Sequence, residues 1–205
     1  MSYNKTKIAV LDPKTWYNKA AKIYKTFHKG LASYDKGLFQ RFLPRSVRDA
    51  VILDIGSGDA RLHTHFADKW IEKYIWFDCA ELLLKRAPSR VERVIGDIED
   101  TWPFEDGSID VALCFFVLLH VRDIHHLMSE AKRVLKPTGN LIILHNFQRR
   151  EYVYELPNDT FKIQDYHWKQ SDVKTAAEEA GFHVEQILLE EKGTDIGILY
   201  SMSSI

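Results

Sequence analysis

The sequence predicts a mixed α/β chain built on one mostly parallel sheet, covered on both faces and capped by helices at its N-terminal end. Three observations carry that expectation. From residue 50 onward, short continuously apolar runs alternate with segments of helical spacing, the pattern of a parallel sheet buried on both sides. The first 43 residues carry an amphipathic helical pattern instead. Near the end, two strand-like runs are separated only by KGTD, too short for a parallel crossover, so they pair antiparallel.

In chain order, LDPKTWYNKAAKIYKTFHKG reads as a helix with Asp12 as N-cap, Pro13 at its first position and Gly30 as its stop. Trp16, Ala20, Ile23, Phe27 and Leu31 form one apolar stripe, with the lysines mostly elsewhere. A second helix is expected over 32–43, ending before Pro44. The runs VILDI, YIWFD, VERVI, VALCFF and LIILHN read as strands. ARLHTHFADKW, AELLLKRA and DIHHLMSEAKRVL read as the helices between them. Residues 147–168 form one long irregular insertion, a place for a lid or binding loop. SDVKTAAEEAGF is a capped helix closed by Gly181, followed by strands HVEQILLEE and IGILYSMSS. The expected organisation is a single domain: helical cap 1–49, core 50–146, insertion 147–168, and C-terminal helix with hairpin 169–205.

At 205 residues, the chain has the length of one well-buried domain. Cys79 and Cys114 have no C-x-x-C or Cys/His spacing around them, so a reduced, cytoplasmic protein without a metal is expected. The segment MSYNKTKIAVLD lacks the apolar core of a signal peptide, and no run reaches membrane-helix length. Residues 1–50 hold eleven basic against three acidic residues, and the rest seventeen against twenty-six. A basic head on an acidic body marks either an anionic partner or a solvated helix face packed on a complementary body.

The chemistry concentrates in VILDIGSGDARL. Gly56 and Gly58 let the backbone approach a ligand and take turn geometries closed to other residues. A dinucleotide fingerprint would place a third glycine where Arg61 stands, and Asp54 would bring negative charge toward a pyrophosphate. Both features disfavour a pyrophosphate and suit a ligand with a cationic end. Asp78 closes the next strand, where an acid can accept two ribose hydroxyls. Asp97 follows the strand after that, able to accept from an exocyclic amine such as adenine's.

With these acids in place, the sequence resembles a class I S-adenosylmethionine-dependent methyltransferase of the broad small-molecule group with ubiquinone-biosynthesis-type enzymes. VILDIGSGDA is similar to the family's D-x-G-x-G-x-G motif, with Ala60 for the last glycine. WFDCAELLLKRA, GDIEDTWPFEDGSIDVAL and RVLKPTGNLII match its three following motifs in order, with Cys79–Ala80, Ile109 and Thr138 as departures. The resemblance implies a Rossmann-like, doubly wound, seven-stranded sheet and S-adenosyl-L-methionine as cofactor, with S-adenosyl-L-homocysteine as product. It implies that Gly56, Ser57 and Gly58 cradle the methionine part and ribose, with Asp54 near the amino group. It further assigns Asp78, with neighbouring Cys79, to the ribose, Asp97 and the Ile98 backbone to adenine, and Cys114 and Phe115 to the methionine side. Tyr24 is expected to close on the cofactor and Tyr17 on the substrate.

Methyl transfer from a sulfonium is an in-line displacement governed by positioning and desolvation, and a base is needed only when the acceptor must lose a proton. His120 and His145, both at strand carboxyl ends, are the candidate bases. Asn146, Tyr166 and His167 are candidate substrate contacts. His63, His65, His125 and His126 have no third ligand at metal spacing and read as surface residues. The expected acceptor is a small molecule and the expected state a monomer or weak dimer. A protein N-terminus or RNA methyltransferase using the basic head, or a cofactor-binding module without catalysis, are the alternatives.

Overall fold

A computed structural model describes residues 8–27, 34–86, 91–147, 153–156 and 159–204. Five strands, β2 (Val51–Ile55), β3 (Lys73–Asp78), β4 (Glu92–Ile95), β5 (Ile109–Phe115) and β6 (Leu135–Asn146), run parallel. The last two, β9 (Phe182–Glu191) and β10 (Thr194–Ser204), form the expected antiparallel hairpin around Lys192 and Gly193, and β10 also runs antiparallel to β6. The order is β4-β3-β2-β5-β6-β10-β9, a seven-stranded sheet whose direction of winding reverses between β2 and β5. A cleft opens beyond the carboxyl ends of the strands at such a reversal.

Strand alternation divides the core. Leu53, Ile55, Ala112, Cys114, Leu141 and Ile143 bury one face against α4 (Ile124–Val134) and α5 (Gln170–Glu179). Ile52, Leu113, Phe115, Ile142 and Leu144 bury the other against Phe39, Leu62 and Phe66. Asp123 caps α4 by accepting the His125 and His126 amides. The α5 helix begins at Gln170, where the Asp172 carboxylate accepts the Lys169 amide. Among the described residues, no helix is long and apolar enough to cross a membrane.

The first helix starts as expected, with Pro13 leading and Asp12 accepting from Thr15 N at 2.9 Å. It divides, however, into α1 (Pro13–Ala20) and α2 (Tyr24–Phe27) with a turn between them. Gly30 and Leu31 lie outside the described residues. The expected 32–43 helix is a 3₁₀ segment, Leu38–Phe42. A second departure follows the glycine loop: residues 60–70 hold only a 3₁₀ segment, Arg61–His65, entered through Ala60 at φ +50°. Leu62 and Phe66 still reach the core. His63 and His65 are half-buried against Tyr74 and Phe39, with ring centroids 5.1 and 5.0 Å apart, rather than free on the surface.

The insertion is not irregular where it is described. β7 (Val153–Leu156) and β8 (Asp159–Ile163) form a hairpin, and β1 (Ala9–Leu11) adds to β8 in parallel. Tyr154, Phe161 and Ile163 present one side to Trp16 of α1, whose ring lies 4.6 Å from Tyr154 and 6.0 Å from Phe161. The N-terminal segment and the insertion are therefore one cap with its own small core. Trp16→Ala should destabilise this unit by about 3–5 kcal/mol. Hydrogen exchange should accelerate selectively in β1, β7 and β8, and an equal acceleration in β2 and β5 would contradict an independent cap.

Candidate active site

The glycine loop is held by the strand beside it. Gly56 N donates to Phe77 O at 2.8 Å, and Gly58 N donates to Asp78 Oδ2 at 2.8 Å. The other oxygen of Asp78 accepts Ala80 N at 2.7 Å, where α3 (Glu81–Leu84) begins. One buried carboxylate thus ties the loop after β2 to the turn after β3. The glycines are required by space as well as by conformation. A Cβ on Gly56 would lie 2.5 Å from Val117 Cγ2, and one on Gly58 2.6 Å from Tyr24 Oη, at φ of +60° and +57°.

Beyond this loop lies a cavity of about 720 Å³, a size suited to a drug-sized ligand. Asp54, Asp59, Asp78 and Asp97 line it together with Asp12, Glu99 and Asp100, against Lys14, Arg61 and Arg122. Burial pushes the Asp54 carboxyl up to about 7, opposed by the Tyr74 hydroxyl, which donates to Oδ2 at 2.9 Å, and by the Arg61 charge. Burial likewise raises Asp78, opposed by its two backbone amides. The Asp97 carboxylate accepts Glu99 N at 3.1 Å. An acid-rich cavity of this kind favours a cationic ligand. Among the described residues, the lining atoms Ser57 Oγ and Asn146 Oδ1 are buried without a hydrogen-bond partner, as expected of groups set to meet a ligand.

The cap closes the far side. Tyr17 and Tyr24, off the Trp16 stripe of α1, turn toward the cavity with ring centroids 5.8 Å apart. Tyr17 Oη lies 2.7 Å from His120 Nε2, His120 ending a short 3₁₀ turn after β5. Tyr154 and Tyr166 complete this end, with Gln164 Nε2 donating to Tyr166 Oη at 2.8 Å.

Most of the residues expected from the sequence meet here: Asp54, Gly56, Ser57, Gly58, Asp78 and Cys79; Asp97, Ile98 and Phe115; Tyr17, Tyr24, His120, Asn146 and Tyr166. Three do not line the cavity. Cys114 is fully buried on the opposite face of β5 from Phe115, because adjacent strand residues alternate. His145 shares the face of Leu141 and Ile143 for the same reason, packed beside Phe147 with its pKa lowered by burial. His167 is exposed while its neighbour Tyr166 turns inward. Other contributors were not anticipated. Arg61 stacks over Phe115 and Phe116 at 5.7 and 5.0 Å, and Asn18 Oδ1 accepts Leu82 N at 2.9 Å, fastening α1 to α3. Arg61 was visible as a lone cation in the loop; nothing in sequence spacing marks Asn18.

Comparison with known proteins finds similarity over part of the chain. Residues 53–143 match the family model described as a methyltransferase domain. The biotin biosynthesis bifunctional protein BioHC of Cellvibrio japonicus is 29% identical over 164 residues, 74% of this chain and 30% of that protein. The uncharacterized methyltransferase YcgJ of Bacillus subtilis is 25% identical over 123 residues, 56% of this chain and 48% of its own. The chain thus spans less than half the length of these curated relatives. Among solved structures, DhpI in complex with SAH aligns at TM-score 0.73 and 16% identity, covering 93% of this chain and 94% of that one. A chain from a complex with the Haloferax volcanii Trm112 methyltransferase activator aligns at 0.72 and 17%, covering 96% and 99%. At these identities, the structural likeness is one of fold.

The raised Asp54 pKa has a stability consequence. Between an unfolded carboxylate value near 4 and the folded value of about 7, the ligand-free native state holds the extra proton, so stability falls as pH rises through that window. Asp54→Asn should raise the melting temperature of the ligand-free protein at pH 8 by roughly 5 °C, and by about 1 °C or less at pH 4. Equal effects at both pH values would contradict this origin.

Proposed function

We propose that the chain is a class I S-adenosylmethionine-dependent methyltransferase that transfers a methyl group to a small-molecule acceptor by in-line displacement, a reading supported by the methyltransferase-domain match over residues 53–143. The observation that carries this reading is one capped cavity with acids gathered around the glycine loop and an aromatic end bearing Tyr17 and His120.

S-adenosylmethionine is the cofactor, and the residues present fit it. The Gly58 cradle leaves no room for a side chain, Ser57 Oγ and Asn146 Oδ1 await partners, and the acids complement a cationic nucleoside. Asp78 would take the ribose hydroxyls, since a carboxylate has about four acceptor sites and the two backbone amides use only half of them. Asp97 and the Ile98 backbone would hold adenine, and Asp54 the ammonium. The ammonium would draw Asp54 into its ionised form. When bound, the cofactor supplies a methyl group already activated by a positively charged sulfur. The protein then has to orient an acceptor, exclude water and, for an acidic acceptor, remove a proton. Tyr24 and Tyr17 of the cap close the cavity, and His120 stands where a proton can be taken.

A macromolecular acceptor is the second reading. It draws on the basic first 50 residues and on the neighbour solved with an activator protein. The covering cap favours the small molecule. Incubation with methyl-labelled cofactor and fractionated cell extract separates the two. Label should enter the small-molecule fraction, and His120→Gln should lower the rate by about 100-fold or more with cofactor affinity changed by about threefold or less. Label confined to protein or RNA would overturn the small-molecule acceptor. Cofactor binding with no transfer to any fraction would leave a binding module only.

A further inference from the structure

We infer that Tyr17 is a catalytic proton relay, taking the proton of an aromatic hydroxyl acceptor at Oη while passing its own to His120 Nε2. The inference rests on the methyl-transfer reading above and names the acceptor class of that same cavity.

Tyr17 and His120 come from elements 103 residues apart, the cap helix α1 and the turn after β5, yet their polar atoms meet at 2.7 Å inside the cavity. Their rings stand edge to face at 5.4 Å and 84°. Burial holds the Tyr17 hydroxyl well above the ordinary tyrosine range, with the Tyr24 and Tyr154 phenols adding to it. Tyr17 therefore keeps its proton; in the His120 tautomer that carries its hydrogen on Nδ1, Tyr17 donates to Nε2 and retains oxygen lone pairs to accept another O–H. His120 does not need to touch the acceptor to receive its proton.

The surroundings select the acceptor. Beside Tyr17 in the cavity wall stands the ring of Tyr24, at 5.8 Å, with Tyr154 and Tyr166 on the cap side. Such walls favour a planar aromatic group. A phenol titrates near pH 10 and an aliphatic hydroxyl several units higher, so a phenol gives up its proton to an imidazole more readily.

The step balances. The acceptor proton moves to Tyr17 Oη as the Tyr17 proton moves to His120 Nε2. The electron pair freed on the acceptor oxygen forms the new bond to the methyl carbon, and the pair of the broken carbon–sulfur bond stays on sulfur. The positive charge lost by the sulfonium is carried by the imidazolium, which releases its proton to solvent.

The test uses the full chain loaded with S-adenosylhomocysteine and 4-nitrophenol as probe, following the visible absorbance of the nitrophenolate and the ¹⁵N resonance of His120 Nε2. In the wild type, the bound probe should ionise about one pH unit below its free value, with a proton appearing on His120 Nε2. Tyr17→Phe and His120→Gln should each remove the shift, and Tyr17→Phe should leave His120 unprotonated on probe binding. Melting curves and S-adenosylhomocysteine affinity serve as controls for folding. A shift that survives Tyr17→Phe but not His120→Gln overturns the relay. Tight S-adenosylhomocysteine binding with no probe binding overturns the aromatic acceptor alone. Failure of the wild type to bind S-adenosylhomocysteine overturns the proposed function, and this inference with it.

Discussion

The Asp78 carboxylate is the point from which the rest of the site is suspended. One oxygen holds the Gly58 amide and the other the Ala80 amide, so a single buried acid sets the glycine loop and the start of α3 relative to β3. The chain of contacts continues outward. Just past Ala80, the Leu82 amide is taken by Asn18 of α1, and the Arg86 guanidinium reaches the Ala21 carbonyl at the end of that helix. From the same helix, Tyr17 reaches His120. A core acid, a cap helix and a candidate base are thus linked by hydrogen bonds. An unpaired buried carboxylate is costly, which is why both oxygens are satisfied by backbone donors that cannot drift away.

Strand parity decides which side chains take part. Asp54, Phe115 and Asn146 end three adjacent strands on the same face of the sheet and all line the cavity. Their immediate neighbours Ile55, Cys114 and His145 face the other way and serve packing. The reversal of winding between β2 and β5 leaves room for a ligand where that face ends. The cap then supplies what a sheet edge cannot, an aromatic wall of Tyr17, Tyr24, Tyr154 and Tyr166.

The part of the site built from local chain was legible in the sequence. An apolar strand, two glycines and three acids at strand ends are short-range signals, and each has a direct chemical reason. The helical stripe of Trp16 and Ala20 also revealed, by exclusion, that Tyr17 and Tyr24 face elsewhere. Signals that depend on distant partners were not legible. β1 is three residues long and acquires its strand character only by pairing with β8, some 150 residues away. Residues 60–70 carry helical spacing, but Ala60 at φ +50° turns the chain so that only a 3₁₀ segment follows. His145 and Cys114 lie near strand carboxyl ends, but their parity turns them to the packed face of the sheet. The Tyr17–His120 contact bridges two elements whose sequences give no sign of each other.

The central claim is that Asp78 organises a nucleoside-sulfonium site, and titration calorimetry on Asp78→Asn tests it most directly. The replacement keeps the volume but substitutes an N–H donor for one of two acceptor oxygens that face backbone donors and, on this account, ribose hydroxyls. S-adenosylmethionine should bind the wild type one to one. The variant, if folded by circular dichroism, should bind it about 100-fold more weakly, a loss of about 3 kcal/mol. A folded variant with wild-type affinity would contradict the account.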